Sequence, residues 1–271
     1  MDYRTYEPCE DLASLIKCYW TLESPKEDTP MRQTIVPDGC MEMIFHYGDL
    51  YKQYTQRDNC IIQPKCFVIG QLTRPLEIES MGETGIFSVR FQPGGFFPFA
   101  TMHVKKMENT AIPFGQLFGN AGKEIEQNIL NAHTALERIK LIEIFLLSRL
   151  TEVATIDYVV KFTLDTILSA SGQLTINEVS KQTNINRRQL ERKFSLAIGL
   201  SPKQLSKMIR LQSTLKMLLN KQCKNLTSLA YENDYYDQSH FTKDFKELTG
   251  FTPKEFYGDN LKMSSLFYGS D

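Results

Sequence analysis

The sequence is poor in metal-ligating groups: among 271 residues there are four histidines, His46, His103, His133 and His240, and no two form a His-x-His pair. A metal centre needs several imidazole and carboxylate ligands converging from neighbouring strands, so the scarcity argues against one. A glycine-rich phosphate loop and a Gly-x-Ser-x-Gly elbow are also missing. No catalytic residue is therefore assigned, and neither an enzymatic activity nor a cofactor is expected. No stretch approaches the roughly 18 uncharged apolar residues of a membrane span. The opening segment MDYRTYEPCEDL is acidic and lacks the cationic, apolar character of an export signal. Six cysteines are too sparse for a disulfide framework. Reduced thiols and a cytoplasmic location follow as expectations.

Five of those cysteines, Cys9, Cys18, Cys40, Cys60 and Cys66, lie in the N-terminal half, which raises a thiol- or stress-sensing role as an alternative. Their spacings are not the Cys-x-x-Cys pairs of a zinc site. Reactivity needs a lowered thiol pKa, for which Lys65 beside Cys66 is the one hint. Buried structural cysteine is the preferred reading.

Net charge is −1, but it is unevenly placed. Residues 172–257 carry 14 Lys and Arg against 8 Asp and Glu, a net of +6, which leaves −7 elsewhere. An acidic module joined to a basic nucleic-acid-binding module would produce such an asymmetry, although an uneven surface would too.

From Arg32 to Phe99 the chain reads as strands. RQTIVPDGCMEMIFHYG alternates around a Pro-Asp-Gly turn at Pro37–Gly39. TGIFSVRF places Ile86, Ser88 and Arg90 on one face and Phe87, Val89 and Phe91 on the other. Short strands punctuated by Gly and Pro predict an antiparallel sandwich or barrel. An apolar effector pocket there would draw on Trp20, Phe45, Tyr47, Phe87 and Phe91, although the same residues suit a barrel core. From Lys123 to Leu150 the period turns helical, with two helices divided near Asn131–Thr134. The second is apolar on much of its circumference, consistent with packing on the β domain or with self-association.

The C-terminal hundred residues contain one pattern twice. In the first copy, TINEVSKQTNINRRQLERKF, Thr175 and Glu178 form a capping box and Ser180 lets two helices approach closely. Asn184 suits a left-handed turn and Asn186 caps the next helix. With Leu190, Phe194 and Ala197 facing the core, Arg187, Arg188, Glu191 and Arg192 face out. A guanidinium forks to O6 and N7 of guanine; a solvated face would explain the charge alone, but not the cap, turn and small residue in register with it. In the second copy, NLTSLAYENDYYDQSHFTKDF, Leu226, Leu229 and Ala230 supply packing and Asp237 the cap. Phe241, Phe245 and Leu248 point inward, leaving Gln238, Ser239, Thr242 and Lys243 outside. Asp237 and Asp244 are expected to be exposed and to repel phosphate. Between the copies, a helix with Leu205, Ile209, Leu211 and Leu215 begins at Ser201-Pro202 and is long enough to hold two readers about one turn of DNA apart. Gly250-Phe251-Thr252-Pro253 repeats Gly199-Leu200-Ser201-Pro202, which marks a duplication.

These residues resemble the C-terminal domain of the AraC/XylS transcriptional regulators. The likeness rests on Arg188, Leu190, Arg192 and Phe194, then Gly199-Leu200-Ser201-Pro202, Arg210-Leu211 and Leu229-Ala230. It continues through Asp237, Ser239-His240-Phe241, Phe245-Lys246 and Gly250-Phe251-Thr252-Pro253. It implies seven helices and two readers on adjacent major-groove segments, with Arg188, Glu191, Arg192, Gln238, Ser239, Thr242 and Lys243 facing bases. Asn233 and Asp234 depart from the family's apolar residue and Gly, so the first unit is expected to dominate affinity. More loosely, Val36-Pro37-Asp38-Gly39, Val68-Ile69-Gly70-Gln71 and Val89–Gly95 resemble a cupin-like β domain found in some regulators of that family. The resulting expectation is an α+β protein. Residues 1–150 form an antiparallel, cupin-like β domain ending in helices, for sensing or dimerisation. Residues 151–271 form an all-α DNA-binding domain with units at about 175–197 and 225–249 and a linker helix between. Double-stranded DNA is the expected partner, together with an unknown effector, RNA polymerase and a second copy of the chain. A partner-binding regulator without a small ligand is the remaining alternative.

Overall fold

The computed structural model describes residues 1–54, 59–150, 157–173, 176–219 and 238–259. Its N-terminal part is two antiparallel sheets face to face. The larger has the order β1 (Asp2–Tyr6), β2 (Ile16–Ser24), β9 (Thr84–Phe91), β4 (Glu42–His46), β7 (Cys66–Ile69), β10 (Ala111–Pro113). The smaller has the order β3 (Gln33–Ile35), β8 (Leu76–Ser80), β5 (Tyr51–Tyr54), β6 (Cys60–Ile62). β1, β2 and β10 lie outside the stretch that reads as strands from sequence. In β2, buried residues run continuously from Tyr19 to Leu22, so period two is hidden where both faces are covered.

Alternation decides what each face of the large sheet meets. Tyr19, Met43, Phe45, Val68, Phe87, Val89 and Phe91 point outward into the main hydrophobic cluster. That cluster is closed by α1 (Phe114–Asn131) through Ile125 and Ile129, and by α2 (Ala135–Arg149) through Ile139, Ile142 and Leu146. Each fully buried Phe or Ile contributes about 1.5–3 kcal/mol there. Thr134 and Glu137 form a reciprocal capping box that starts α2 after the break at 132–133. Glu143 on α2 accepts from the Tyr19 hydroxyl (3.1 Å) and the Cys9 backbone N–H (2.9 Å), fastening the helix to the N-terminal segment. Leu136 and Ile144 remain exposed, so packing on the sheet uses only part of the apolar surface of α2.

The C-terminal part is helical: α3 (Tyr158–Ser169), α4 (Ile176–Thr183), α5 (Arg187–Ile198), α6 (Pro202–Leu219), α7 (Gln238–Thr249) and α8 (Pro253–Asp259). Phe194 of α5 and Phe241 and Phe245 of α7 share one core with Leu205, Leu211 and Leu215 of α6. The expected domain boundary at 150/151, Thr175, and the first helix of the second unit with Asn233, Asp234 and Asp237 lie outside the described residues.

Candidate nucleic-acid interface and effector cavity

The first helix-turn-helix is built by local chemistry. Asn184 adopts φ 51°, the left-handed conformation that the turn requires. The Ser180 hydroxyl donates to the Ile185 carbonyl (2.5 Å), and the Asn186 side chain accepts from the Gln189 N–H (3.0 Å) to start α5. Val179 and Leu190 bury the seam between α4 and α5. α5 ends at Gly199, φ 84°, a conformation that costs a Cβ-bearing residue about 1–2 kcal/mol.

On the outer side of α5, Arg187, Arg188 and Arg192 are exposed and Glu191 is half-buried. Arg187 Nε pairs with Glu191 Oε1 at 3.0 Å, one turn along the same helix. Arg188 and Arg192 make no ion pair among the described residues, so both guanidiniums are available to an anionic or guanine-bearing partner. Lys193, by contrast, is turned back to Asp157 (2.6 Å), which holds that carboxyl below its usual range.

On α7, Gln238, Ser239 and Lys243 are exposed. Thr242 is half-buried, and its hydroxyl donates to the Gln238 carbonyl (2.8 Å). Asp244 corrects the sequence reading: it is buried, 7% exposed, and faces α6, where its carboxylate meets Lys207 at 2.9 Å. Its position one helical turn before Leu248 puts it on the inner face, so it anchors α7 to α6 and is not displayed to solvent. The duplicated terminators match in detail. Ser201 and Gln204 cap α6 reciprocally, as Thr252 and Glu255 cap α8.

The β domain meets the helices through the segments that carried its sequence likeness. Val36 joins the helical core. The Pro37 carbonyl accepts from Gln212 Nε2 of α6 at 2.8 Å. Gly39, φ 81°, lies where a Cβ would stand 2.6 Å from Leu205 Cδ1. Gln71 is buried and donates to the Gly39 carbonyl (3.0 Å). Gly94 approaches Ile198 and Leu164, and Gly199 approaches Val104. Pro37–Gly39 reads as a turn and Val68–Gln71 as part of a strand from sequence; their closeness to the helices arises only on folding.

Between the two sheets lies a cavity of about 110 Å³. Its walls are mostly apolar, including Trp20, Ile44, Phe67, Leu76, Ile78 and Ile86. Of the aromatics expected to line a pocket, Trp20 does so; Phe45, Phe87 and Phe91 point to the opposite face of the sheet, and Tyr47 packs against that same cluster. At one end Arg90 is ion-paired with Asp38 and lies 3.4 Å from Glu42. Glu42 also accepts from Trp20 Nε1 (3.2 Å) and Ser88 Oγ (2.9 Å). Burial raises the Glu42 pKa against the opposing pull of Arg90. At the other end His46, 1% exposed, contacts Gln63 Oε1 through Nε2 (3.3 Å) and stacks on Tyr51. Desolvation lowers its pKa to about 4.

Cys9, Cys18, Cys40 and Cys66 are poorly suited to sensing. Desolvation raises the pKa of Cys9, Cys18 and Cys40 and pushes Cys66 up to about 12, overriding Lys65. Among the described residues no group of three or more His, Cys, Asp or Glu could hold a metal ion, and no helix is long and apolar enough to cross a membrane.

Two family models match separate parts of the chain. Residues 4–113 match the model of a domain of unknown function, DUF6597, and residues 179–258 match that of a helix-turn-helix domain. No curated protein matches. Among solved structures the chain is similar to ToxT from Vibrio cholerae, at 10% identity over 88% of this chain and 97% of that one, with a TM-score of 0.47. It is similar to the C-terminal domain of AraT, a response regulator from Geobacillus stearothermophilus, at 22% identity over 38% of this chain and 87% of that one, with a TM-score of 0.35. The AraC-like transcriptional activator CuxR is similar at 13% identity over 85% of this chain and 90% of that one, with a TM-score of 0.33. The chain is thus an antiparallel β domain followed by a helical domain that contains a helix-turn-helix.

Proposed function

We propose that the chain is a sequence-specific, DNA-binding transcriptional regulator that reads two adjacent major-groove segments with α5 and α7 and answers to a small molecule held between the sheets of its β domain. The observation that carries this reading is α5: a capped helix of a helix-turn-helix, exposing Arg188 and Arg192 unpaired among the described residues. Arg188, Arg192 and Glu191 face bases in the first unit, with Arg187 oriented by Glu191. Gln238, Ser239 and Lys243 serve the second unit, where Thr242 contributes less because its hydroxyl already has an acceptor. The protein acts in the cytoplasm, as a homodimer, and passes its effect to RNA polymerase. Nothing in the reading requires catalysis or a metal.

Selection of bound sequences from random duplex DNA tests it. Two motifs about ten base pairs apart are expected, with the half read by α5 lost in Arg188→Ala/Arg192→Ala. Absence of any enriched sequence from the full chain, with and without cell extract as a source of effector, would overturn the proposal.

A further inference from the structure

The cavity has walls, two polar ends and a neighbour that can transmit its state. Roughly 10–15 Å³ of such space holds one water, so 110 Å³ admits a small organic molecule. Glu42, Ile44 and His46 of β4 all line the cavity. Glu42 opposes Arg90 across the strand pair, and His46 lies four residues further on, about 13 Å at 3.3 Å per residue. Ile44, between them, faces the same space.

His46 Nε2 lies against Gln63 Oε1, which can only accept, so the imidazole places its hydrogen on Nε2. Nδ1 then carries a lone pair. It is buried and has no hydrogen-bond partner, and His46 is among the residues that line the cavity. A buried acceptor left unmet is costly, and an occupant with a hydroxyl or N–H relieves that cost. At the far end two carboxyl groups, Asp38 and Glu42, surround a single guanidinium that is already ion-paired. An anionic ligand finds no free cation there and meets carboxylate repulsion.

We propose that the cavity binds an elongated, apolar, uncharged molecule whose hydroxyl or N–H donates to His46 Nδ1, and that carboxylates are excluded. Val36, Asp38 and Cys40 line the same cavity, while the neighbouring Pro37 and Gly39 seat α6. The occupant thus bears on the loop that holds the linker helix between the two readers. This last consequence rests on the regulator reading above; the binding chemistry does not.

Calorimetric titration of the full chain with 4-propylphenol, 4-propylanisole and 4-propylbenzoate separates the possibilities. The three share one apolar body and differ in offering a donor, no donor and a negative charge. The phenol is expected to bind about tenfold or more tighter than the anisole, the value of one satisfied buried acceptor, and the benzoate weakest of all. His46→Phe is expected to remove the preference for phenol over anisole. Should that variant not fold, the ranking on the unaltered chain still decides. Equal binding of phenol and anisole, preference for the benzoate, or no binding of any at millimolar concentration overturns the proposal. The phenol is then added to the DNA selection. Tight binding without any change in DNA affinity would leave the ligand class standing and sink the effector role alone.

Discussion

Replacing His46 by Phe should change the pH dependence of folding by an amount that the structure sets. His46 is 1% exposed, stacked on Tyr51 at 5.4 Å and near Phe67 at 5.8 Å, so charging it inside the β domain is unfavourable. Its pKa falls from 6.5 to about 4, chiefly through desolvation and against a smaller contribution from Gln63. The sign follows from linkage. Below pH 6.5 the unfolded chain takes up a proton that the folded one refuses, so stability drops as pH falls and levels out below pH 4. At 1.36 kcal/mol per unit, the loss between pH 7 and pH 5 is about 2 kcal/mol. Glu42, whose pKa burial raises, works in the opposite direction but does so equally in both proteins. The only tryptophan, Trp20, lines the same cavity, so its fluorescence in urea reports unfolding of the domain that matters. The original chain should lose about 2 kcal/mol more than His46→Phe between pH 7 and pH 5. Parallel pH profiles, agreeing within about 0.5 kcal/mol, would refute the burial argument and remove the lone pair on which the cavity chemistry depends.

Other consequences are equally direct. Arg192→Ala should cost about 1–3 kcal/mol at a cognate site and relax preference at one base position; unchanged affinity and preference, measured by fluorescence anisotropy, would remove that residue from the reader. Gly39→Ala forces a Cβ into a position with φ 81° and 2.6 Å from Leu205 Cδ1, so urea denaturation should show a loss of about 1–2 kcal/mol or more, and an unaltered midpoint would mean that the loop yields freely. In the native protein iodoacetamide should label the exposed Cys60 well before the buried Cys66, as followed by mass spectrometry. Rapid labelling of Cys66 would revive the thiol-sensing alternative.

Much of the helical domain is legible in sequence because its determinants are local. Asn184, Asn186, Gly199 and Ser201 each act within a turn or two of themselves, and the left-handed glycines and caps sit where those residue types predict. The burial of Asp244 is not legible in sequence because it depends on Lys207, 37 positions away in the chain and brought near only when α7 packs on α6. β2 escaped detection for a related reason: burial of successive residues erases the alternation that marks a strand.

Periodicity and turn chemistry alone determined that β strands precede a duplicated helix-turn-helix, because hydrogen-bond geometry and side-chain spacing are properties of neighbouring residues. The same alternation separated Ile86, Ser88 and Arg90 from Phe87, Val89 and Phe91, but not which set would face a cavity. Only the tertiary structure decided that, by laying the smaller sheet over one face and α1 and α2 over the other. It also brought Pro37, Gly39, Gln71 and Gly94 beside the helical domain, a meeting of residues far apart in sequence that depends on how two finished cores fit together.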